Sequence, residues 1–194
     1  MKLINKCLGL IALMFLSMHM NAQKIKTVDG DLSVLKSEES INIEFVYDGM
    51  SVGKYDKESD YIKAKTEEYN KKEQGRGDTW AKSWVTDRAG RFESRFINEF
   101  QDASKMTVKP TAKYTMIFKT TTTEPGYNIV ISRKNAEIDA EVTIVETADR
   151  AKKLATLSVA NAPGRIYGGY DYDTGTRIAE SYAVAGKRLG KYIK

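Results

Sequence analysis

The feature that most restricts what this chain can fold into is a run of aromatic side chains between residues 80 and 100. Trp80, Trp84, Phe92, Phe96 and Phe100 recur every four residues or a multiple of four, with Val85 and Ile97 beside them. At 3.6 residues per turn such side chains share one helix face, which drifts slowly round the axis. Asp78 stands where an N-cap would, so the spacing predicts a helix from there to about residue 102. Burying aromatics of this size is worth about 2–3 kcal/mol each before entropy is subtracted. The helix must therefore dock onto a sheet or another helix. Gly90 in its middle is a weak point, where a break or bend is expected.

The rest of the chain supplies partners. Residues 24–38 are polar around Val28, Leu32, Val34 and Leu35, and read as a leader or an edge strand. Ile41, Ile43, Phe45 and Tyr47 alternate as one face of a strand that Asp48-Gly49 ends. Residues 57–72 are rich in helix formers, with Asp56 or Ser59 as cap and only Tyr61, Ile62 and Tyr69 as an apolar stripe. That thin stripe predicts a surface helix. Residues 106–108 suit a short strand beside the first, and Tyr114, Met116 and Phe118 alternate in a longer one. After the Glu124-Pro125-Gly126 turn, Ile129 and Ile131 suggest a brief strand. In residues 136–146, Ile138, Ala140, Val142 and Ile144 face one way and Glu137, Asp139, Glu141 and Thr143 the other. With residues 154–160 this makes a hairpin. Residues 162–175 read as a Gly/Tyr loop, after which Asp173 or Thr174 caps a final helix. Ile178, Tyr182, Ala185, Leu189 and Tyr192 form its buried stripe, and Arg177, Lys187, Arg188, Lys191 and Lys194 outnumber Glu180. The order predicts an α/β (α+β) domain, a mixed sheet of four to six strands with helices mainly on one face.

The amino terminus resembles a secretory signal peptide over residues 1–22: Lys2 and Lys6, a short apolar stretch, then Ala22 before the cut. The stretch is shorter than the roughly 20 apolar residues that span a bilayer. Cys7 lies in the wrong place for lipid attachment. The expected organisation is a signal peptide, a polar leader over 23–40 and one domain over 41–194. The expected location is the periplasm or the exterior, with no transmembrane segment. Loss of Lys2 and Lys6 lowers the net charge from +5 to +3, too mild to announce a nucleic-acid partner.

Cys7 and His19 are the chain's one cysteine and one histidine, and both fall in the signal. That excludes disulfides, Cys/His zinc sites, cysteine nucleophiles and every histidine-based triad from the mature chain. Two-carboxylate glycoside hydrolysis stays open, but no spacing pairs the candidates Glu44, Asp48, Asp139 and Asp171. Asp171 and Asp173 open like a calcium loop, yet the expected glycine and glutamate are absent at positions six and twelve. They are weak metal candidates beside a helix-capping role, and no metal or cofactor is expected. Arg76-Gly77-Asp78 matches the adhesion tripeptide, while Asp78 has a capping role. Tyr167, Gly168, Gly169, Tyr170 and Tyr172 form the preferred binding segment, because tyrosines on a glycine loop can stack on a sugar or grip a peptide. The alternative is that they fold back onto the last helix.

The Glu124–Gly126 turn, the strand Ala136 to Val145 and the run Arg177 to Gly190 resemble a group of uncharacterised exported bacterial domains. Those look like relatives of the N-terminal domain of the Tol translocation protein and of the lipoprotein activators of peptidoglycan synthases. The resemblance implies a mixed sheet backed by helices and an adaptor or assembly role. The expected function is thus non-catalytic: an exported protein whose partner is an envelope protein or a glycan. The alternative is a carboxylate-dependent saccharide hydrolase.

Overall fold

A computed structural model of the protein describes residues 23–129, 131–164 and 173–194. The expected alternation in residues 41–47 gives β2 (Ser40–Val46), whose Ile41 and Ile43 are buried. Beside it lie β4 (Thr107–Val108) and β5 (Tyr114–Glu124), both parallel to β2. The hairpin of β8 (Ala136–Glu146) and β9 (Lys153–Gly164) continues the sheet antiparallel to β5. The sheet runs β1-β9-β8-β5-β2-β4, and β3 (Ser51–Val52) pairs with the far end of β5. A separate hairpin joins β6 (Tyr127–Ile129) to β7 (Ser132–Lys134). This is the mixed sheet in one α+β domain that the alternation predicts.

Among the described residues the main sheet has seven strands, more than the expected four to six, because two are only two residues long and one is the leader. β1 (Lys24–Gly30) is an edge strand, hydrogen-bonded to β9 although nearly all its side chains are exposed. Of the two readings open for this segment, the edge strand holds. Backbone pairing places it, so no apolar alternation marks it.

The aromatic stripe divides. α2 (Arg76–Asp87) and α3 (Ser94–Ser104) are joined by a π-helical turn, Arg88–Glu93, around Gly90. A π turn takes an extra residue, which swings the following face round. Upstream, Trp80 and Trp84 pack on Tyr61 and Tyr69 of α1 (Glu58–Lys72), at centroid distances of 5.0–5.7 Å. Downstream, Phe92, Phe96 and Phe100 turn to the sheet and to α4 (Thr174–Tyr192). Phe96 meets Phe45 edge-on at 5.2 Å and Phe118 at 4.8 Å, and Phe92 stacks on Tyr182 at 5.2 Å. Val85, expected beside the stripe, is half exposed. α1 is more than a surface helix, since Tyr61 and Tyr69 are both buried.

α3 and α4 approach backbone to backbone. A Cβ on Gly186 would lie 2.3 Å from the Phe96 carbonyl oxygen, and one on Gly190 2.7 Å from that of Phe100. Glycine at those two positions sets the interhelical distance and so how deeply Phe96 enters the core.

The caps depart from expectation in two places. α1 follows Lys57 without a side-chain cap, in place of Asp56 or Ser59. α2 starts two residues ahead of Asp78, after Gly75 in the left-handed region at φ 81°. Asp78 then sits in the first turn, where its charge suits the helix dipole and its carboxylate accepts from Asn70 Nδ2. At α4 the cap is Asp173, whose side chain accepts from the Thr176 N–H and O–H. No helix among the described residues is long and apolar enough to cross a membrane.

Candidate functional site

Two clefts meet at the start of α4. The first, about 250 Å³, is walled by Tyr55, Tyr61, Tyr69 and Tyr127, with Lys54, Lys65 and Glu124 at its polar positions and Thr174 at its inner end. Each wall has a local cause. Val52 and Tyr55 exchange backbone hydrogen bonds of 2.9 Å in each direction, which turns Gly53 and Lys54 outward and Tyr55 inward. Tyr55 then meets Tyr61 edge-on at 5.8 Å. Tyr61 and Tyr69 rest on the two tryptophans, so four packed rings back the cleft. Glu58 fixes that slab from below, accepting from Trp84 Nε1 at 2.6 Å and from Arg88.

The opposite wall is the Glu124–Gly126 turn. Glu124 accepts from the Gly126 N–H at 3.0 Å and pairs with Lys134 at 2.6 Å. Gly126 adopts φ 63° and lies so close to β7 that a Cβ would fall 2.4 Å from the Lys134 carbonyl oxygen. Behind the turn is Arg177, 2% exposed, donating to the Pro125 and Gly126 carbonyls at 3.3 and 3.4 Å. Sequence reasoning counted Arg177 among the cations of the last helix and missed this role. The carbonyls it serves lie about fifty residues upstream, so no local signal marked it.

The second cleft, about 280 Å³, is lined by Trp80, Ser83, Trp84, Asp87, Arg91 and residues 173–175. Arg91 bridges two carboxylates here, to Asp87 at 3.3 Å and to Asp173 at 2.9 Å. Their environments push them apart. Burial raises the Asp87 carboxyl above its usual range, only partly offset by Arg91, and the Asp173 charge adds to the rise. Burial acts the same way on Asp173, but hydrogen bonds from Thr176 and Arg91 outweigh it and hold that carboxyl low. Gly175 lets α4 approach: a Cβ there would overlap Asp87 Oδ2.

Tyr167, Gly168, Gly169, Tyr170, Tyr172 and Asp171 lie outside the described residues. Their flanks are described, and both sit at the head of α4. Gly164 packs so tightly on the Arg177 carbonyl that a Cβ would lie 2.1 Å from it, and Asp173 caps the helix. Thr174, next to Asp173, lines both clefts. Asp173, a weak metal candidate by sequence, spends its carboxylate on Thr176 and Arg91. Among the described residues no three His, Cys, Asp or Glu side chains are grouped as metal ligands.

Among the described residues the other carboxylate candidates, Glu44, Asp48 and Asp139, are not brought together. Glu44 makes a two-pronged pair with Arg150, whose hydrogen bonds hold it below the usual range. Asp139 accepts from the Asn161 N–H at 2.7 Å in a β-bulge. Asp48 is exposed in a turn. The Arg76-Gly77-Asp78 tripeptide forms the first turn of α2, with Gly77 buried against the Thr66 carbonyl of α1. It does not present the extended loop that adhesion receptors read.

No protein-family model matches the chain, and no curated protein does. Among solved structures, the PelC dodecamer from Paraburkholderia phytofirmans is similar in two crystal forms, one of them of a point variant. The TM-scores are 0.37 and 0.38 at 9% identity, over 84% of this chain and 96% and 97% of PelC. A likeness at that level carries no argument about this chain.

Proposed function

We propose that the protein is an exported, non-catalytic envelope or secreted protein that binds a glycan or another protein through the tyrosine-walled cleft. The observation that carries this reading is the convergence of that cleft with both ends of the Tyr/Gly segment at the head of α4. Tyr55 and Tyr127 are partly exposed there, on rigid supports, and so offer ring faces at little entropic cost. Lys54, Lys65 and Glu124 supply the few polar contacts that orient a ligand in such a site. The adaptor role implied by the resemblance to Tol and peptidoglycan-synthase activator domains belongs to the same proposal.

The test is affinity capture from cell-envelope extract followed by direct titration of whatever is retained. Tyr127→Ala and Tyr55→Ala are expected to weaken the titrated affinity about tenfold or more each, as loss of an anchoring aromatic does. The Tyr167→Ala, Tyr170→Ala, Tyr172→Ala variant is expected to do so as well. Unchanged affinity in all three folded variants would refute the cleft as the site.

The hydrolase reading is favoured by one observation, the Asp87–Arg91–Asp173 group. Carboxylates driven in opposite directions in one cleft are what an acid and a base need. If that reading holds, Asp87→Asn abolishes release of reducing sugar from envelope polysaccharide. Absence of any release by the unaltered chain removes it.

A further inference from the structure

Gln23 is an odd residue to find where it is. Its side chain is 7% exposed, and neither Oε1 nor Nε2 has a hydrogen-bond partner among the described residues. The position is fixed at both ends. The Gln23 carbonyl accepts from Arg188 Nη1 at 2.9 Å, and Lys24 opens β1 opposite Ala160. A buried carboxamide without partners costs about 1–3 kcal/mol. By the sequence reading, the export cut falls between Ala22 and Gln23. The cut would add an α-ammonium to this same residue, near the Arg188 guanidinium. Like charges that close repel.

One reaction removes both groups and needs no co-reactant. We propose that Gln23 of the mature chain is a modification site and is converted to pyroglutamate. The neutral α-amine attacks Cδ of the side-chain amide, and the N–Cδ bond forms. The Cδ–Nε2 bond breaks, and Nε2 leaves as ammonia with a proton from the attacking amine. An α-amine has a pKa near 8, so about a tenth of it is neutral near pH 7. The lactam carries no charge and keeps one N–H and one C=O in place of an ammonium and a full carboxamide. The backbone carbonyl that Arg188 grips is untouched.

The proposal rests on the export reading, because a chain that keeps residues 1–22 has no free amine at Gln23. The full chain is produced in a bacterium that exports it. Free amines are acetylated on the folded protein, and the N-terminal peptide is then read by tandem mass spectrometry. Acetylation before digestion separates cyclisation in the protein from cyclisation during handling. The expected result is a peptide that begins at Gln23, lacks one ammonia and carries no acetyl group on its first nitrogen. A Gln23→Ala chain, which has no carboxamide to lose, is expected to be acetylated there. An acetylated, full-mass Gln23 in most molecules overturns the modification and leaves export standing. A peptide that begins at Met1 overturns both.

Discussion

Replacing Phe96 by alanine is expected to lower the stability of the fold by about 3–5 kcal/mol, at the upper end for a single core truncation. Phe96 is fully buried where β2, β5, α3 and α4 meet, with rings of Phe45, Phe118 and Phe100 around it. The site cannot collapse to fill the space. Its carbonyl lies under Gly186 and fixes the spacing of α3 and α4, while rigid strands hold the other side. Against a total of about 5–15 kcal/mol for a typical domain, the loss is large. At roughly 2–4 °C per kcal/mol for this size, melting should fall by about 6–20 °C. Thermal unfolding followed by circular dichroism measures it. A loss below about 1 kcal/mol would mean that the interhelical seam is looser than Gly186 and Gly190 imply.

Arg177→Met is expected to have two effects, on stability and on the cleft. The substitution keeps most of the buried volume and removes the donors that hold the Pro125 and Gly126 carbonyls. Buried acceptors left without a donor cost about 1–3 kcal/mol each, so a loss of about 2–6 kcal/mol is expected. The Glu124–Gly126 turn is the wall opposite Tyr55, and loosening it should weaken ligand retention beyond what the lower stability explains. Binding measured well below the melting temperature separates the two. If affinity is unchanged while stability falls, the turn is not part of the binding surface.

Much of the sheet could be read from side chains alone. In β8, Ile138, Ala140, Val142 and Ile144 are all buried and Glu141 is exposed, because a period of two leaves only one face for a core. The last helix was legible for the same kind of reason, down to the Asp173 cap. Tyr192 is an exception in its stripe: it is partly exposed, and its hydroxyl accepts from the Thr27 N–H at 3.0 Å, tying α4 to β1. Of the candidate site, the Tyr/Gly segment drew notice through its composition, and Asp173 through its spacing. Tyr55 and Tyr127 drew none, because Tyr61, Pro125 and Thr174 around them come from α1, the turn after β5 and the start of α4, which meet only in the folded chain.

What the sequence by itself determined is whatever local periodicity and composition control. It set the strand faces, the need to bury five aromatic rings, and the absence of cysteine and histidine chemistry after residue 22. Tertiary structure decided the features that depend on distant groups meeting. Backbone hydrogen bonds to β9 made an exposed polar segment into β1. A π turn divided one aromatic stripe between α1 and the sheet. Carbonyls from a turn between strands drew the Arg177 guanidinium out of water. The physical reason is the same in each case. A side chain's own pattern fixes which face it seeks, but hydrogen-bond partners and packing distances belong to pairs far apart in the chain.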